Sequence, residues 1–140
     1  MNTLDDAVRT MRVLNAIFLV SVLLYAWVGE FAGPKSSLEP QQLAVYRIAL
    51  GILAPMNVLI ALGFRRKQVG IAAATLQSLP DDAEAIGQWR SGNLISFVLA
   101  ETVALLGLML LFLGGTLKIS LPFYVGALLL LIVWFPRKPE

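Results

Sequence analysis

Four apolar runs, each about as long as a bilayer is thick, constrain this chain more than any other feature. They extend from about Val13 to Val28, Leu43 to Phe64, Gly92 to Leu113 and Leu117 to Phe135. A helix needs ~20 residues to cross a hydrocarbon core of ~30 Å. Helix is the required conformation, because an open strand cannot satisfy its backbone polar groups in lipid. Of 140 residues, 58% are hydrophobic and only 14% are charged, against about 25% charged in a soluble domain. The expectation is an all-α integral membrane four-helix bundle, with residues 1–140 forming a single transmembrane domain. Its first partner is the lipid bilayer.

The basic residues choose an orientation. Arg9 and Arg12 precede the first run, and Arg65, Arg66, Lys67 and Arg90 lie between the second and third. Arg137 and Lys138 follow the fourth. Lys35 and Lys118 fall on the opposite side, and Arg47 just inside the second run. The positive-inside rule places both termini and the 65–91 connection in the cytoplasm. An even number of spans returns the chain to the same side, so the two arguments agree. A multi-pass protein of a bacterial inner membrane is expected. Tyr25, Trp27 and Tyr46 fall near the outer surface and Trp89 and Trp134 near the inner one, the headgroup levels that Trp and Tyr favour. Asp5 and Asp6 in front of the first run make a poor signal-peptide n-region, which favours an uncleaved span.

The 65–91 connection is the one sizeable polar stretch. Lys67 to Leu79 continues the second helix beyond the membrane, and Pro80 breaks it. Asp81 or Asp82 then serves as N-cap, and Asp82 and Glu84 complement the next helix dipole. The third helix is expected to start near Asp81 and run unbroken to Leu113. The resulting hairpin is either solvated or a docking surface.

Much chemistry is excluded. The chain has no cysteine and no histidine, which removes disulfides, thiolate and imidazole catalysis and the usual zinc ligands. No phosphate-cradling glycine motif is present. A net charge of +2 with basic residues beside apolar runs speaks for membrane topology and not for nucleic acid. No cofactor, no metal and no enzymatic activity are expected.

What remains is one carboxylate. Glu101 lies near the middle of the third run, where an ionisable group costs roughly 2.5–3.5 kcal/mol. Such an acid needs a partner, a bound proton or ion, or water. In the second run Pro55 frees the carbonyl of Gly51, and Asn57 follows two residues later. The rise per residue puts Pro55 and Asn57 at about the depth of Glu101, so either Asn57 or the Gly51 carbonyl is a candidate partner for a protonated Glu101. The alternative for Asn57 is helix-packing contact. Arg47 lies ~15 Å away along the normal and snorkels outward. Gly92, Ser96, Ala100 and Ala104 recur every four residues beside Glu101 and form a small-residue ridge for close helix packing, within one chain or between identical subunits.

The stretch Ala100-Glu101-Thr102-Val103-Ala104-Leu105-Leu106-Gly107-Leu108 resembles the carboxylate-bearing helix of the proteolipid c subunits of rotary ATP synthases. The second and third runs form a hairpin of the same orientation, with Pro80, Asp81 and Asp82 at the loop. The resemblance implies that Glu101 binds a transported proton. For sodium-binding members it implies a hydroxyl beside the acid, which Thr102 matches, and a polar residue on the preceding helix, where Asn57 stands. The family's glycine repeat and loop Arg-Gln are absent, and two further spans flank the hairpin. Two functions follow as expectations. The chain binds or relays a proton or sodium ion at Glu101, alone or as a homo-oligomer. Alternatively it is a non-catalytic structural or assembly subunit of a larger membrane complex, with Glu101 as a buried hydrogen-bond partner.

Overall fold

Amphipathic seams at spacings of three and four residues organise the fold. The computed structural model describes residues 3–31, 39–113 and 116–139, which form four helices. They are α1 (Leu4–Phe31), α2 (Pro40–Ser78), α3 (Ala83–Phe112) and α4 (Leu117–Val133). Three of them, α1, α2 and α3, are long and apolar enough to cross a membrane; α4, apolar throughout, has 17 residues. At 1.5 Å per residue α4 is about 25 Å long, near the lower limit for a span. The fourth apolar run therefore yields a shorter helix than its sequence limits imply, because Trp134 already caps it. The expected position of Lys35 lies outside the described residues.

On α1, Leu4, Val8, Met11, Asn15, Phe18, Val22, Tyr25 and Gly29 are spaced alternately by four and three. All are buried or half-buried, as in a narrow heptad seam. The seam begins nine residues before the first apolar run, so α1 extends well past the segment that composition marks out. Its first turns enter one core with Ala72 and Leu76 of α2 and Ala85, Ile86 and Trp89 of α3. One face of the connection between α2 and α3 thus meets the N-terminal turns of α1, while Arg66, Lys67, Gln77, Ser78 and Asp81 stay exposed.

The break between α2 and α3 has a local cause. Pro80 follows the C-cap Leu79, whose N–H donates to the Thr75 carbonyl at 2.9 Å. Asp82 then accepts from the N–H groups of Glu84 and Ala85 at 3.0 and 3.2 Å, which satisfies two otherwise orphan donors at the start of α3.

Helix α3 is the axis of the molecule. It packs on α1, α2 and α4, and α1 also packs on α4, but α2 packs extensively on α3 alone. The described residues therefore form a three-helix core with α2 laid along one side, not a closed four-helix barrel. Small residues allow the close approaches. A Cβ on Gly92 would lie 2.7 Å from a Val69 methyl and 3.3 Å from the Val69 backbone nitrogen; one on Gly107 would lie 2.6 Å from Phe123 Cβ.

Three aromatic expectations change. Trp89 and Trp134 lie at the basic end of the bundle, but both indole rings are buried in the core. Trp27 and Tyr46 are exposed, whereas Tyr25 turns inward.

Candidate functional site

Glu101 lies half-buried on the side of α3 that meets α1. The Tyr25 hydroxyl of α1 donates to Glu101 Oε1 at 2.8 Å. Tyr25 occupies the heptad seam of α1. This brings the phenol to the acid. A phenol donates one hydrogen bond, so the second carboxylate oxygen keeps its acceptor capacity or carries a proton.

Asn57 does not meet Glu101. Its side-chain amide donates instead to the Leu99 carbonyl of α3 at 2.8 Å. Asn57 is at the expected depth, within two residues of the acid along α3. Two residues turn a helix by about 200°, so Asn57 and Glu101 occupy opposite sides of α3. The Gly51 carbonyl is not a described partner of Glu101 either. Thr102 donates to the Val98 carbonyl one turn back at 2.9 Å. Its hydroxyl hydrogen is committed to its own helix, and the oxygen keeps its acceptor lone pairs. The three residues proposed to bind an ion are therefore not gathered at one point. Arg47 is exposed on α2, and among the described residues the one ion pair joins Lys138 to Asp5 at 2.7 Å.

The small-residue ridge lies inside the molecule. Gly92, Ser96, Ala100 and Ala104 are all buried. Ser96 donates to the Gly92 carbonyl at 2.7 Å, which turns its hydroxyl back into the helix and leaves the seam apolar.

A second polar group lies toward the end of α1. Glu30 follows Gly29, and its Oε2 is buried without a hydrogen-bond partner among the described residues. The buried Tyr124 hydroxyl of α4 is likewise unpartnered. Gly29 makes room for two leucines of α3, since a Cβ there would lie 2.6 Å from Leu111 Cδ2 and 2.8 Å from Leu108 Cδ1. The buried Ser120 hydroxyl, one turn before Tyr124, is also unpartnered. Glu101, Tyr25, Tyr124 and Glu30 thus mark a polar strip along the α1–α3–α4 core. Only Glu101 stands out in the sequence. Tyr25 lies near the end of an apolar run, where composition assigns it to the headgroups; the heptad register of α1 is the signal that turns Tyr25 inward.

Below this strip Asn15, fully buried, donates to the Leu131 carbonyl at 2.9 Å. Phe18 meets Phe97 at 5.9 Å between ring centroids. These contacts lock α1 to α4 and to α3. Comparison with protein-family models, curated proteins and solved structures finds no match. Fold and composition define the class: an all-helical protein whose three long apolar helices mark it for a membrane.

Proposed function

We propose that this chain is a four-span protein of a bacterial inner membrane, with both termini cytoplasmic, in which Glu101 takes up and releases a proton. The observation that carries the reading is the 2.8 Å hydrogen bond from Tyr25 to Glu101. A charged carboxylate at bilayer depth is expensive. A phenol hydroxyl gives the acid a polar partner at that depth, and it leaves the second carboxyl oxygen free to take a proton.

A proton fits better than sodium. A sodium site needs several converging oxygens, and Asn57, held at the Leu99 carbonyl, lies on another side of α3 from Glu101. The unpartnered Tyr124 hydroxyl and Glu30 carboxylate extend the polar strip toward the opposite end from the basic cluster, as a route for protons would. The likeness of Ala100–Leu108 to the proteolipid helix supports the same chemistry and an oligomeric assembly.

The same bond also favours a second reading, because it ties α1 to α3. In that reading Glu101 is a structural partner within a larger membrane complex and its proton does not move. Carbodiimide labelling at neutral pH, with peptide mapping, and proton uptake into proteoliposomes separate the two. Proton exchange requires modification at Glu101 and loss of both signals in Glu101→Gln. An unlabelled Glu101, with uptake unchanged in Glu101→Gln, rejects it in favour of the structural role.

A further inference from the structure

Because α2 packs extensively on α3 alone, a cleft remains between α2 and α4. At the basic end it opens into a cavity of about 540 Å³ whose lining includes Arg65, Asn93, Trp89 and Arg137. Farther along the same two helices lies an apolar groove of about 620 Å³, bordered by Gly51 and Pro55 on one side and Pro122 and Gly126 on the other.

Arg65 is the telling residue. It is half-buried, and its guanidinium donates to Asn93 Oδ1 at 3.1 Å and lies 5.0 Å from the ring centroid of Trp134. Asn93 is buried and itself anchored, its amide donating to the Trp89 carbonyl at 2.9 Å. All these partners are neutral. No acid pairs with Arg65 or with Arg137 among the described residues. A guanidinium carries five N–H donors in a planar fork, and Arg65 spends one on Asn93. The protein therefore holds a cation in a fixed orientation, partly out of water, without neutralising it. Burial of a charge in that state is costly until an anion arrives.

We propose that this cleft binds an anionic phospholipid, its phosphate held by Arg65 and Arg137 and one acyl chain laid along the apolar groove. Arginine forks match phosphate oxygens, and basic pockets between membrane helices on the cytoplasmic side suit acidic headgroups. Arg65 and Pro55 are ten residues apart, about 15 Å along α2. That length of apolar wall beyond the cations selects a lipid over a free phosphate. The inference requires that the helices cross a bilayer. It does not require that Glu101 carries a proton.

Tryptophan quenching tests it. In a Trp27→Phe background, emission comes from Trp89 and Trp134, beside the cavity. The protein is reconstituted in phosphatidylcholine vesicles with a minor fraction of brominated phosphatidylglycerol or brominated phosphatidylcholine. The anionic lipid is expected to quench more strongly, and the preference to fall about fivefold for each of Arg65→Gln and Arg137→Gln. Arg65→Lys, which keeps the charge, retains part of it and guards against a folding defect in Arg65→Gln. Arg66→Gln with Lys67→Gln, which removes exposed neighbouring charges, leaves it nearly intact. Equal quenching by both lipids overturns the proposal. So does an equal loss on removing Arg66 and Lys67, which indicates general attraction to the basic face. Displacement of the lipid by inorganic phosphate assigns the site to a soluble anion and also overturns it.

Discussion

At the residue scale, the Tyr25–Glu101 contact makes Glu101 more than a lone charge. Glu101→Gln keeps an oxygen acceptor for the Tyr25 hydroxyl, so stability is expected to change little. Glu101→Leu strands that hydroxyl and is expected to cost about 1–3 kcal/mol. A double-mutant cycle of Tyr25→Phe and Glu101→Leu, read by reversible unfolding in detergent, is expected to give a coupling near 0.6 kcal/mol and below ~1.7 kcal/mol, the span for hydrogen bonds between membrane helices. A coupling of zero would mean that the two side chains do not meet. Asn57 offers the contrast. Because it bonds to Leu99 on another side of α3, Asn57→Ala is expected to leave carbodiimide labelling of Glu101 unchanged. A large loss of labelling in that variant would place Asn57 at the acid after all.

At the element scale, the helices associate through backbone proximity. Lipid is as apolar as leucine, so helix association rests on close packing and hydrogen bonds across the seams. Gly107 and Gly63 test this in opposite directions. A Cβ on Gly107 collides with Phe123, whereas one on Gly63 meets nothing within 4 Å. Gly107→Leu is therefore expected to cost about 1–3 kcal/mol by overpacking, while Gly63→Ala is neutral or slightly stabilising. Thermal unfolding of the two variants in one detergent checks the pair, and equal losses would contradict the packing described. The N-cap supplies a third case at the other end of α3. Asp82→Ala removes two acceptor contacts and is expected to cost about 1 kcal/mol, seen first as faster amide exchange in the opening turn of α3.

At the scale of the whole molecule, the basic residues gather at one end and the polar strip rises toward the other. The absence of cysteine makes the topology directly testable. A single cysteine at exposed Ser78 is expected to react with a membrane-impermeant maleimide only in inverted vesicles, and one at exposed Glu39 only in intact cells. The reverse pattern would invert the proposed orientation.

The sequence by itself determined the class, because length, apolarity and missing charge act locally and leave helix as the one solution in lipid. It also determined the depths. The rise per residue puts Asn57 at about the depth of Glu101, and Pro80 with Asp82 ends one helix and starts the next. Azimuth and partnership were decided only by the tertiary structure. Which way a residue faces depends on which neighbours surround α3, and no local pattern states that α1 and α2 lie on different sides of it. Tyr25 therefore belongs to the acid and not to the headgroups, Asn57 belongs to a carbonyl, and Trp89 and Trp134 are core residues. The cleft beside Arg65 follows from the same cause, since it exists because α2 leans on α3 alone.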